Sequence, residues 1–280
     1  MVKIGDRLGR IYDFAHFRLY DWFKYYIPFT SHYNIRLYNW WQCMEAIKDP
    51  NMYIRAGFIP APGEIIYDIG SQYGDYAILW AKRYDARVYA FEPVVKNYKK
   101  MLRNIKMNKA DVLPYNMAVG DDLPIAYSIK NNMAHPDKNG AVIMAPAVDT
   151  MVGRLGIPGI IKIDVEGFEL SVLKGAKKTL IQNDIKVIVE THSAQLKDLT
   201  IKYMADLGYS VDSEGRKSGD AINLFFKKGF SDVQLIQKAI FLVVILFATQ
   251  GLGHPGFSDV QLIQKGAVNA KEVYLNGIAR

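Results

Sequence analysis

Tyr67-Asp68-Ile69-Gly70-Ser71-Gln72-Tyr73-Gly74-Asp75-Tyr76 closes one kind of periodicity and opens another. Before it, Glu64 to Ile69 is a short β-rich apolar run; after it, residues 75–84 carry a helical pattern. Gly70 permits a sharp turn between the two, and Gly74 a close approach by the following helix. Working outward, the same change recurs. Arg87 to Phe91, Asp111 to Tyr115, Gly159 to Asp164 and Asp184 to Glu190 read as strands, with helices near 94–107, 168–183 and 195–207. Strand-helix alternation at this rhythm predicts an α/β fold, a mostly parallel sheet with helices on both faces. Tyr209 to Asp212 and Ala221 to Lys227 flank a polar turn and predict a hairpin that ends the sheet on an antiparallel strand. One interruption stands out: Pro124 to Ile129 and Ala141 to Met144 predict an inserted hairpin around a polar loop.

The 280 residues are half apolar and 22% charged, as in ordered globular proteins. A lone cysteine, Cys43, excludes an internal disulfide and a Cys-based zinc site. No apolar leader follows Met1, and the longest apolar run, Ala239 to Ala248, is ten residues against the ~20 of a membrane-spanning helix. A cytoplasmic protein is expected, with peripheral membrane contact open through the N-terminal aromatics or residues 239–248. The net charge of +7 is spread thinly, with 8 basic against 5 acidic residues in 1–60 and no dense basic stripe. The tightest cluster, Lys96, Lys99, Lys100, Arg103 and Lys106, has the spacing of a solvated helix face, so nucleic acid is not an expected partner.

Three zones follow. Residues 1–60 hold 15 of the 35 aromatics and predict a helical cap. One amphipathic helix runs from Ile4 to Tyr26; a second, capped by Ser31, carries Leu37, Trp40, Trp41, Met44 and Ile47. Residues 61–228 are the α/β domain. Residues 229–280 are a tail in which Gly-Phe-Ser-Asp-Val-Gln-Leu-Ile-Gln-Lys occurs twice, at 229–238 and 256–265, the mark of a duplication.

In an open parallel sheet, ligands bind beyond the carboxyl ends of the strands. The Asp68-x-Gly70-x-x-x-Gly74 loop is not the dinucleotide G-x-G-x-x-G. It suits the nucleoside loop of S-adenosylmethionine (SAM) enzymes, whose ligand has no pyrophosphate to seat. Glu92, 24 residues after Asp68 at the end of the next strand, is placed to accept hydrogen bonds from a ribose. Pro93 in the first turn of the following helix is expected to fix its direction. Ala118, past the third strand, is placed near a purine edge. Lys162, Asp164 and Glu166 share one side of a strand by its period of two and are expected to face the crevice. Glu169 enters the first turn of the next helix. His192 ends the fifth strand and titrates near neutrality, which makes it the first candidate base, with Asp164 second. Asp164, Glu190 and His192 also offer oxygen and imidazole ligands that suit a divalent ion, although their spacing demands none.

These motifs resemble the FkbM family of class I SAM-dependent methyltransferases. The resemblance lies in the 68–76 loop, Phe91-Glu92-Pro93, Asn104 to Asn108, Ala118-Val119-Gly120-Asp121, Val148-Asp149-Thr150, residues 161–169 and Leu173-Lys174-Gly175-Ala176. It spans residues 64 to about 227 and implies a Rossmann-like sheet of seven strands, the last antiparallel; the N-terminal helical extension and the duplicated tail lie outside it. It implies methyl transfer from SAM to an oxygen of a sugar, glycolipid or small natural product. Carried onto this chain, Asp68, Gly70, Gln72, Gly74, Asp75, Glu92, Ala118 and Asp164 would hold the cofactor, and His192, Asp164 and Glu166 would serve catalysis. Ser71-Gln72 departs from the family's usual Ala-Asn, which puts a contact from position 72 in question. Competing readings are an RNA or protein methyltransferase, an NAD-dependent oxidoreductase, and a vestigial domain with a scaffold or membrane-surface role.

Overall fold

A computed structural model describes residues 29–30, 36–37, 57–216 and 221–229. Its centre is a seven-stranded sheet. The strands are β3 (Ile65–Ile69), β4 (Arg87–Phe91), β5 (Val112–Tyr115), β9 (Ile160–Ile163), β10 (Lys186–Thr191), β11 (Tyr209–Arg216) and β12 (Ile222–Lys228), in spatial order β11-β12-β10-β9-β3-β4-β5. Pairing is parallel from β10 through β9, β3 and β4 to β5, and β12 runs antiparallel to β10. The expected mixed α/β architecture is therefore present, down to the antiparallel closing strand.

The central strands are buried on both faces, which is why they read as near-continuous apolar runs. Ile66, Val88, Ile160, Ile188 and Phe225 point to one face. There they meet Ala77, Ile78 and Trp80 of α1 (Asp75–Tyr84) and Met101 of α2 (Val95–Asn108). Tyr67, Tyr89, Ile161, Val187 and Leu224 point to the other face. They pack on Val172 and Leu173 of α4 (Glu169–Gly175), Leu180 of α5 (Lys177–Gln182) and Met204 of α6 (Ala194–Asp206). The inner stripe of α2 is unusual in carrying three buried asparagines. Asn97, Asn104 and Asn108 each bond to backbone elsewhere: Asn132, Tyr73 and Arg36 respectively. Its lysines face outward, as the helical spacing predicts.

Several sequence expectations are corrected. Leu37 does not begin a helix: β1 (Phe29–Thr30) and β2 (Arg36–Leu37) form a small antiparallel pair. The Asn108 amide both accepts from Arg36 N–H and donates to its carbonyl, holding Leu37 in the core. The remaining N-terminal helix expectations and the duplicated tail lie outside the described residues. The single helix expected over 168–183 is two, α4 and α5. The Asp149 carboxylate accepts from Lys178 N–H, Thr179 N–H and the Thr179 hydroxyl, giving the second helix its own cap. Asp149 itself sits in α3 (Val148–Leu155), a helix the strand-helix rhythm does not reveal.

The inserted hairpin is a three-stranded sheet, in order β7-β6-β8, built from β6 (Leu123–Lys130), β7 (Met133–Pro136) and β8 (Ala141–Ala145). What reads as a polar loop contains β7 because Asn131 and Asn132, both at positive φ, make a tight two-residue turn. Among the described residues, no helix is long and apolar enough to cross a membrane.

Candidate active site

The ends of β3, β4, β5 and β9 meet the inserted sheet around a crevice open to solvent. One wall is Gly70, Gln72, Glu92, Pro93 and Asn97; the base is Met117, Ala118 and Val119; Asp164, Glu166 and Phe168 close one side. The inserted sheet supplies Ile125, Tyr127, Met133, Ala134 and Ile143 opposite.

The β3–α1 loop is shaped from behind. Gly70 has φ +80°, and a Cβ there would lie 1.7 Å from the Asp164 carbonyl oxygen, so only glycine fits where β3 passes β9. Asp68 does not line the crevice. It is buried, its Oδ2 accepts the Ser71 hydroxyl at 2.6 Å, and its Oδ1 pairs with Lys162 Nζ at 3.1 Å. Ser71 thus has a local reason to be serine. Gly74 and Asp75 begin α1, with Gly74 in the left-handed region, and neither lines the crevice. Gln72, also at positive φ, does line it.

Glu92 is buried yet borders the crevice. Its Oε2 accepts Gln72 N–H at 2.9 Å, and its Oε1 accepts Val94 N–H at 2.8 Å and Asn97 Nδ2 at 3.3 Å. These bonds aim the carboxylate; Pro93 does not, because it precedes the helix rather than sitting in its first turn. Burial pushes the carboxyl up to about 7, against the opposing pull of those donors.

Lys162 does not face the crevice as expected. Its side chain is only 4% exposed and turns away from the crevice into a polar knot. It donates to the Gly70 carbonyl at 3.1 Å and pairs with Asp68 and, at 3.6 Å, with Asp164 Oδ2. Burial alone would favour the neutral amine, but the charges of Asp68, Asp164 and Glu190 outweigh it and hold the lysine protonated. Strand periodicity also ends early: β9 stops at Ile163, and Glu166 lies beyond it in the left-handed region.

Even so, Glu166 reaches the same cluster. His192 Nε2 stands 3.4 Å from Asp164 Oδ1 and 3.8 Å from Glu169 Oε1, and its Nδ1 is 3.7 Å from Glu166 Oε2. Burial disfavours the imidazolium, but interaction with Asp164, then the charges of Glu166 and Glu190, raise the ring to about 9. At neutral pH His192 is a cation here, which corrects the expectation that it titrates near neutrality. Glu169 begins α4 as expected but is fully buried, and burial lifts it to about 7. His135, marked by no motif, is brought by β7 to 4.0 Å from Glu166 Oε2.

A profile of the family described as "Methyltransferase FkbM domain" matches residues 68–211, just over half of the chain. The chain belongs to the FkbM methyltransferase family. Among curated proteins it is similar to the hexuronic acid methyltransferase AglP of Haloferax volcanii, 29% identical over 148 residues. That match takes in 49% of this chain and 60% of the relative's length. Among solved structures, an FkbM methyltransferase of Methylobacillus flagellatus is 20% identical with a TM-score of 0.48, covering 62% of this chain and 47% of that one. A precorrin-6y C5,15-methyltransferase of Geobacter metallireducens is 12% identical with a TM-score of 0.43, covering 61% and 82%.

Two family motifs acquire structural explanations. A Cβ on Gly175 would lie 1.8 Å from the Gly120 carbonyl, so Leu173-Lys174-Gly175-Ala176 is a contact with Ala118-Val119-Gly120-Asp121. The Ser171 hydroxyl donates to Asp121 Oδ1 at 2.9 Å in the same interface.

Proposed function

We propose that this methyltransferase takes its methyl group from SAM and places it on a hydroxyl oxygen of a sugar, glycolipid or small natural product. The observation that carries the reading is the crevice itself. A buried, tightly aimed Glu92 stands beside the Gly70–Gln72 turn and an apolar floor of Met117, Ala118 and Val119. Ribose hydroxyls, a purine face and backbone contacts at the turn match those three features in chemistry. Bound there, SAM supplies a methyl group on a positively charged sulfur.

The chain's own residues then have separable tasks. Glu92 and the backbone at Gly70 and Gln72 hold the cofactor, with Ala118 at the floor. Asp68, Gly74 and Asp75 act at one remove by fixing the loop. Asp164 and Glu166 line one side of the crevice, where Glu166 receives the acceptor's proton. His192, as a cation between them, orients both rather than serving as the base. Transfer of methyl to a sugar acid is the activity named for the Haloferax relative, which favours a carbohydrate acceptor over RNA or protein.

The test is transfer of labelled methyl from SAM to a panel of neutral and carboxylated glycans, with tRNA and peptide controls. Label in a glycan that Glu166→Gln reduces by ~10²–10⁴ supports the reading. Label confined to RNA or peptide, or none in a sample that binds SAM, would overturn the acceptor assignment.

A further inference from the structure

The side chains of Asp164, Glu190 and His192 converge at the carboxyl ends of β9 and β10. One ligand atom from each lies within 4.8 Å of the others. We infer that these three residues form a divalent cation site, of the kind that takes Mn²⁺ or Zn²⁺, beside Asp164 at the edge of the crevice; the ion takes the place of the proton that His192 otherwise carries. This deepens the transfer reading above and rests on it for its role, though not for its geometry.

Two carboxylates and an imidazole close together can be mere ion pairing, and the spacing decides against that. Charge-assisted N–H···O bonds close to about 2.7–2.9 Å. His192 Nε2 instead stops at 3.4 Å from Asp164 Oδ1 and 3.8 Å from Glu169 Oε1. That nitrogen is shut off from solvent and has no hydrogen-bond partner among the described residues. Metal–ligand bonds of about 2.1 Å place neighbouring ligand atoms roughly 3.0–4.2 Å apart, a range that includes the 3.4 Å between His192 Nε2 and Asp164 Oδ1.

A second feature is independent of that spacing. Glu169 is fully buried beside the cluster, and its Oε2 has no hydrogen-bond partner among the described residues. A carboxylate so placed is costly unless positive charge comes to it.

The surroundings are those of a working metal centre. Asp164 turns Oδ2 to Lys162 and leaves Oδ1 toward His192, and Lys162 is anchored in turn by Asp68 and the Gly70 carbonyl. Such outer partners orient a ligand and raise its affinity. Carboxylates with one imidazole suit Mn²⁺ or Zn²⁺ better than Ca²⁺. Three protein ligands leave coordination positions for acceptor hydroxyls, whose acidity the ion would raise. Glu166, outside the triad, remains available to take the proton.

The experiment uses the full chain, stripped with EDTA and dialysed, then titrated with Mn²⁺ while free Mn²⁺ is followed by electron paramagnetic resonance. One equivalent should bind and show nitrogen coupling from a single imidazole. His192→Ala should abolish that coupling, and His192→Ala and Asp164→Asn should each weaken binding by roughly tenfold or more, with thermal melts confirming that both fold. Absence of bound Mn²⁺ and Zn²⁺ at millimolar concentration would overturn the site. So would binding that ignores both substitutions, or a bound ion without nitrogen coupling. A parallel titration with SAM in EDTA reads the cofactor assignment alone. SAM binding without metal binding removes this site and leaves the transfer reading; metal binding without SAM does the reverse.

Discussion

The crevice has two walls made by different physics. The sheet-end wall is held by burial. Ile161 and Ile163 are fully buried, and Asp68, Glu92 and Lys162 beside them have their charges bonded inward. The inserted-sheet wall shows its other face to solvent: Val142 is 65% exposed and Met144 61%. Its tie to the opposite wall is a small number of bonds, chiefly Asn97 Nδ2 to the Asn132 carbonyl at 2.6 Å. A rigid wall can hold an invariant cofactor, whereas a lightly held wall can change with the acceptor.

The largest effect that would sharpen this contrast is Lys162→Ala. It strips the partner from buried Asp68, and urea melts should show a loss of about 3–5 kcal/mol. A loss under about 1 kcal/mol would mean that the knot is not what holds the wall. Ile161→Ala should cost about 2–5 kcal/mol by cavity formation in the same measurement. Asn97→Ala, which removes bonds to both Glu92 and Asn132, should cost about 1–3 kcal/mol and loosen the inserted sheet. Faster amide exchange confined to 123–145 would show that loosening; a uniform change would contradict the latch. At the small end, Val142→Thr should stay within ~0.5 kcal/mol of wild type. A cost comparable to that of Ile161→Ala would erase the distinction between the walls.

Glu92 adds a pH dependence. Its folded value of about 7 lies above the ordinary 4.5. Below 4.5 the folded and unfolded states are both protonated, and the stability that the raised value represents is fully present. It drains away as pH rises from 4.5 through 7. Glu92→Gln, which cannot ionise, should therefore gain melting temperature relative to wild type between pH 5 and pH 8. SAM affinity should move the opposite way, improving in wild type as pH passes 7, because the ionised carboxylate is the better acceptor for ribose hydroxyls. A flat SAM profile in wild type would separate Glu92 from the ribose.

The same contrast explains what could be read from sequence. Strands buried on both faces announce themselves as apolar runs, so β3, β4, β9, β10 and β12 are legible; β5, a half-buried edge strand, is placed by the strand-helix rhythm. Gly70, Glu92 and Asp164 are legible too, fixed by their places at strand ends. Lys162 misled because period-two reasoning assigns a side but not an environment; only the fold brings Asp68 from β3 alongside it. Glu166 misled because β9 ends before it. β7 was hidden because a half-exposed edge strand carries little apolar signal, although Asn131-Asn132 was a readable turn. His135 could not be placed, since its approach to Glu166 depends on how the inserted sheet folds over the crevice.

The most direct test is isothermal titration of the purified full chain with SAM, alongside Glu92→Ala and with NAD as a control. The expected result is one-to-one SAM binding, no NAD binding, and a loss on Glu92→Ala of about 1–3 kcal/mol, roughly 5- to 150-fold. No SAM binding by a folded sample, or equal binding by wild type and Glu92→Ala, would contradict the assignment of the crevice to the cofactor.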